Sequence, residues 1–222
     1  ATPGMMSRQG CNPLVALQDT IGPMARSVSD AVKVFEVICG FDENDPLTAT
    51  YNIGKATSNY SQQLVPDALK NLRLGVVRNA FGSDQDENCR PVNQVMNPAI
   101  EQLAAGGAFV SDVEIPNLAE SLDATSLYLL KSKYDLNLFL NARPEAPMKT
   151  IQDIVNAGHY HPKLDLLEGI ANGPDAPLSD LNYYKAYAER NNLMLLITSI
   201  MDKGEYDALV YPTAQVPPHL RS

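Results

Sequence analysis

The sequence predicts an α/β fold in which a mixed β-sheet is packed by helices. Three observations carry this expectation. Residues 72–116 read as strand, loop, helix and strand; residues 206–211 form a second apolar run after a long helical segment; and 45% apolar with 19% charged residues is the balance of a chain that buries a core. With 222 residues there is room for one large domain, and two complete ones are a squeeze.

Residues 1–26 show no helical period and carry Pro3, Gly4, Gly10, Pro13, Gly22 and Pro23, so they are expected as loop with short extended pieces. A helix should begin after Ser27, which with Asp30 suggests a capping box. Its apolar face is Val28, Ala31, Val32, Phe35, Ile38 and Cys39, and Gly40 is placed to end it. Residues 41–63 are polar and punctuated, with Asp45-Pro46, Thr48, Thr50, Asn52, Gly54 and Ser58, and predict a mobile surface excursion.

From Leu72 the pattern changes. Arg73–Val77 reads as a strand, and Pro91 opens a helix with an apolar face of Val92, Val95, Met96, Ala99 and Leu103, closed by Gly106-Gly107. The next strand spans 108–115 and stops at Pro116, so the unit should be parallel and right-handed. Residues 119–142 carry a broad leucine-rich stripe, predicting one long helix or two before Arg143-Pro144. A shorter helix is expected at Ile151–Ala157, then a Gly/Pro-rich loop at 169–177. Ser179 or Asp180 can cap a long helix over 181–201, and 206–211 then forms a buried strand before Pro212.

Charge and composition exclude several functions. Seventeen Lys and Arg against 26 Asp and Glu leave a net charge of −9, which does not supply the phosphate-neutralising surface of a nucleic-acid binder and disfavours anionic membranes. No run approaches the ~20 apolar residues that span a bilayer, since Leu193 to Ile197 is broken by Thr198 and Ser199. Three cysteines, Cys11, Cys39 and Cys89, without C-x-x-C spacing suggest neither a disulfide framework nor a zinc site. The opening Ala1-Thr2-Pro3-Gly4-Met5-Met6 has no secretory character and reads as the middle of a longer polypeptide, so no compartment is assigned beyond the cytoplasm as a default.

Motifs that carry chemistry are mostly absent. There is no G-x-S-x-G, S-x-x-K, H-E-x-x-H, G-x-x-x-x-G-K-[ST] or G-x-G-x-x-G, and nothing in the first β–α loop cradles phosphate. His159-Tyr160-His161 lacks a third ligand, and Asp42-Glu43-Asn44-Asp45 lacks the glycine and terminal glutamate of a calcium loop, so no metal and no cofactor are expected. Tyr183, Tyr184 and Tyr187 suit one edge of a packed helix better than a binding platform.

The segment Gln18-Asp19-Thr20-Ile21-Gly22-Pro23-Met24-Ala25-Arg26-Ser27-Val28-Ser29-Asp30-Ala31 resembles a motif of the amidase signature family of amide hydrolases. Thr2-Pro3-Gly4, Ser7-Arg8-Gln9-Gly10 and Pro13 look like the stretch that follows that family's serine-rich signature. Further matches come in family order: Leu72 to Val77, Ala99 to Leu103 with Gly107-Ala108, Val113 to Pro116, Asp135-Leu136-Asn137 with Leu140, and Tyr206 to Thr213. The likeness covers residues 1–222 as a partial amidase domain, cut at both ends, and implies an incomplete amidase-signature fold.

The resemblance also implies carboxamide hydrolysis by a Ser-cis-Ser-Lys triad. Those residues and the oxyanion hole belong to a stretch upstream of this chain, so the chain alone should be inactive. Lys131 and Ser132 depart from the acidic and aromatic residues that relatives often show there. By resemblance, Asp19, Gly22, Tyr134, Asn137, Pro212 and Thr213 border the pocket of a small-molecule amide substrate, while Asp19 equally suits hydrogen bonds within its own turn and Arg26 an ion pair or backbone anchor. The rival reading is a catalytically silent α/β interaction module.

Overall fold

A computed structural model describes residues 2–50 and 59–218. The chain divides into two compact units, each assembled from two segments: residues 1–64 with 126–187, and residues 65–125 with 188–222.

In the first unit the opening segment is irregular, as its prolines and glycines dictate, and is anchored by the wholly buried Val15, which clusters with Leu127, Tyr183 and Ala186. Helix α1 (Val28–Ile38) starts where expected: the Ser27 hydroxyl accepts the Asp30 N–H at 3.1 Å and donates to the Asp30 carboxylate at 2.8 Å. It stops at Ile38, before Gly40. The periodicity marked a helix correctly but not its burial, because Val28, Val34, Val37 and Ile38 are all exposed.

The polar stretch that follows is not simply a surface excursion. Asp45 and Thr48 are buried, and the Thr48 hydroxyl donates to the Asp45 carbonyl at 2.7 Å. The reason is Arg8, whose charge makes burial of the Asp45 carboxylate tolerable. Asn52, Gly54 and Ser58, with the mobility expected there, lie outside the described residues.

Helices α4 (Tyr128–Asn141), α5 (Ile151–Ala157) and α6 (Leu166–Ala171) complete this unit around Leu136, Ile151, Ile170 and Ala171. Thr150 and Asp153 form a full capping box at α5. Helix α6 corrects the expected loop over 169–177. Gly169 lies within this helix, where a Cβ would come within 3.1 Å of the Leu129 side chain, so its lack of one answers to close approach rather than to a turn.

The second unit holds the sheet. Strands β1 (Arg73–Val77), β2 (Phe109–Val113) and β3 (Ala208–Val210) run in the order β2-β1-β3, with Gly75 opposite both Ser111 and Leu209. The α/β class is the one expected, but both pairings are parallel, so the sheet among the described residues is not mixed. Parallel neighbours require long crossovers, and α2 (Arg90–Ala105) supplies the first. Helix α2 begins at its proline as expected, yet it buries Asn93 and Ile100 rather than the face centred on Val95 and Ala99.

The stripe over 119–142 resolves into two helices, α3 (Leu118–Ala124) and α4, separated at Thr125 to Leu127. Helix α7 (Leu181–Gly204) starts as expected, with the Asp180 carboxylate accepting the Asn182 N–H at 2.8 Å. The strand after it is shorter than 206–211 and only partly buried, because β3 pairs with β1 alone among the described residues.

Candidate functional site

Strand β1 is the middle of the sheet. The chain leaves it towards β2 on one side and reaches β3 on the other, and in parallel α/β sheets a crevice opens beyond the carboxyl ends of the strands at such a switch point. This protein has one there, a cleft of about 690 Å³. Val77 and Asn79 reach it from β1, Ile115 from β2, and Tyr211, Pro212 and Thr213 from β3, while Leu118 and Leu122 of α3 and Leu193 and Ile197 of α7 form its sides.

Two side-chain amides brace its mouth. Asn79 donates from Nδ2 to the Ile115 carbonyl at 2.6 Å and accepts the Ile115 N–H at 3.2 Å, tying the end of β1 to the end of β2. Gln215 donates from Nε2 to the Ala80 carbonyl at 3.0 Å, tying the segment after β3 to the turn after β1. Pro212 is buried and Thr213 exposed, so of the six residues proposed from sequence these two meet in one cleft. Sequence reasoning missed Asn79 and Gln215, because no local spacing announces an amide that bridges strands.

The first unit has a cavity of its own, about 480 Å³, lined by Arg8, Asp19, Asp45 and Phe139 among others. Arg8 donates to the Asp45 carboxylate from Nε at 2.9 Å, from Nη2 at 2.7 Å and from its backbone N–H at 2.9 Å, and also reaches the Ala16 carbonyl. Those bonds from Arg8 outweigh the cost of burial and hold the Asp45 carboxyl at about 2, below its ordinary 3.8. Asp19 accepts the Leu14 N–H at 2.8 Å and the Val15 N–H at 3.2 Å, so its carboxylate is engaged by its own turn while it still borders the cavity.

The other positions are occupied by structural contacts. Asn137 accepts the Ile151 N–H at 2.8 Å, capping α5 from α4. The Lys131 ammonium lies 4.6 Å from the Tyr134 ring centroid and pairs with Asp135, whose second oxygen accepts the Ala16 N–H at 2.9 Å. Ser132 is wholly buried and its hydroxyl has no hydrogen-bond partner among the described residues. Gly22 is exposed on its loop, and Arg26 makes no hydrogen bond or ion pair among the described residues, so the anchoring expected of it falls to Arg8.

Tyr183 is buried and stacks on Tyr187 at 6.4 Å, but Tyr184 and Tyr187 are exposed, so only Tyr183 of the trio packs into the core. Among the described residues no group of three or more His, Cys, Asp or Glu side chains could hold a metal ion, and no helix is long and apolar enough to cross a membrane. Neither cavity pairs a lining hydroxyl or thiol with a base among the described residues, so each can hold and orient a ligand but neither activates a nucleophile.

The Amidase family model matches residues 1–222. A glutamyl-tRNA(Gln) amidotransferase subunit from Deinococcus deserti is 28% identical over 97% of this chain and 43% of its own length. The crystal structure of native peptide amidase from Stenotrophomonas maltophilia superposes with a TM-score of 0.78 at 30% identity, covering 95% of this chain and 44% of the other. The chain thus spans less than half the length of these relatives, and from its first to its last residue it belongs to the amidase family.

Proposed function

We propose that residues 1–222 are part of a single larger amidase domain that hydrolyses a carboxamide bond, and that this part walls and braces the substrate pocket while the serine, cis-serine and lysine of the family mechanism come from polypeptide outside it. The observation that carries this reading is the crevice at the carboxyl ends of three parallel strands, in a chain whose whole length matches the family. In this reading Pro212 and Thr213 border the amide substrate directly. The other four candidates, Asp19, Gly22, Tyr134 and Asn137, lie in the first unit, and their assignment to a substrate pocket rests on the family resemblance alone.

Division of labour follows from chemistry. Acyl transfer needs an activated nucleophile and donors aimed at the developing oxyanion, and a rigid apolar wall raises the effect of both by excluding water. The test is to isolate the protein from its source with an antibody against this chain, weigh it against 24.2 kDa, and assay ammonia release from primary carboxamides. A heavier species that releases ammonia is the expected result. A 24.2 kDa species without hydrolysis overturns the proposal and favours a silent interaction module.

A further inference from the structure

The cleft beyond the sheet differs from the cavity around Arg8 in one decisive respect. No Asp, Glu, Lys, Arg or His lines it among the described residues, whereas Arg8, Asp19 and Asp45 all line the other. Its walls are aliphatic: Ile115, Leu118, Leu122, Leu193, Ile197 and Met201. The polar groups that border it are largely committed, since both ends of the Asn79 amide bond Ile115 and the Gln215 amide nitrogen bonds Ala80. Thr213 and Tyr211 remain at the open rim.

A charged group placed against these walls would give up hydration that no ionised side chain lining the cleft among the described residues replaces. An aliphatic or aromatic body would instead exchange water for matching walls in a cleft of the size that ordinarily holds small molecules. We infer that this cleft binds the uncharged, apolar portion of an amide substrate, with the amide group towards Thr213 and Tyr211 at the rim, and rejects substrates built on a free amino acid such as glutamine. The assignment of an amide as the ligand rests on the proposed hydrolase function; the apolar character rests on the lining alone.

The probes are octanamide and glutamine, titrated into the full-length protein as it occurs in its source and followed by ligand-observed NMR. Octanamide should saturate and glutamine should not. Ala119→Trp or Ala214→Trp, each at an exposed position on the cleft wall, should weaken octanamide at least ~10-fold with the fold intact by circular dichroism, while Leu14→Trp in the other cavity leaves it unchanged. Competition by glutamine, no saturation by octanamide, or an equal loss in Leu14→Trp overturns the inference. The source protein separates the two claims: ammonia from glutamine but not octanamide keeps the hydrolase and removes the apolar substrate. Octanamide that binds and is never hydrolysed does the reverse.

Discussion

At the scale of single residues, two buried polar groups set opposite expectations. The Ser132 hydroxyl is desolvated with no partner among the described residues, so Ser132→Ala should raise stability by about 1 kcal/mol, read as a higher urea midpoint with an unchanged slope. Asp45 is the contrary case. Asp45→Asn leaves the half-buried Arg8 without its charge partner and should cost about 3 kcal/mol. Because the folded carboxyl sits at about 2 and the unfolded one at 3.8, the pair's contribution is complete above 3.8 and fades as pH falls through 2. The thermal midpoints of wild type and Asp45→Asn should therefore converge in strong acid and stay apart at neutral pH. Asp19 was legible from sequence because its partners lie four and five residues away, inside one turn. Arg8 and Asp45 were not, because 37 residues separate them and local spacing does not report such a contact.

Among the elements, those whose signals are local were readable and those whose burial depends on neighbours were not. Strand β1 and helix α5 match their expected bounds, and Pro91, Gly106 and Asp180 mark real helix ends. Helix α6 escaped because Gly169 looks like a turn residue until Leu129 is seen against it, and β3 looked buried because an apolar run does not say how many sides of a strand are covered. The cleft was legible only in part: Pro212 and Thr213 came from family likeness, while its walls come from α3, α7 and three strand ends far apart in sequence. Close approach also governs β1, where a Cβ on Gly75 would lie 2.9 Å from the Leu209 side chain and 3.0 Å from that of Val113. Gly75→Val should accordingly prise β1 from its neighbours at a cost of about 2 kcal/mol, measured by denaturant unfolding, with faster amide exchange in β2 and β3.

For the whole molecule, the uncovered apolar surface is the dominant fact. Val28, Val34 and Val37 on α1 of the first unit and Met194, Leu195 and Tyr211 in the second are exposed, the kind of surface through which chains associate. Sedimentation of the isolated chain should show species above 24.2 kDa that grow with concentration and bind a hydrophobic dye. The net charge of −9 opposes this, so added salt should strengthen association by screening the repulsion. A monodisperse, dye-silent chain would favour the interaction module instead. The three free thiols offer a way to watch each unit separately: Cys11 is exposed and Cys39 half-buried in the first, and Cys89 is buried in the second, its sulfur so close to Gly82 that a Cβ there would fall 2.4 Å away. Burial pushes the Cys39 and Cys89 thiols up, so a thiolate-selective reagent labels half-buried Cys39 slowly and reaches buried Cys89 only when the surrounding structure opens. Cys11 then serves as the time zero of the labelling reaction, Cys39 as the clock of the first unit, and Cys89 as the clock of the sheet.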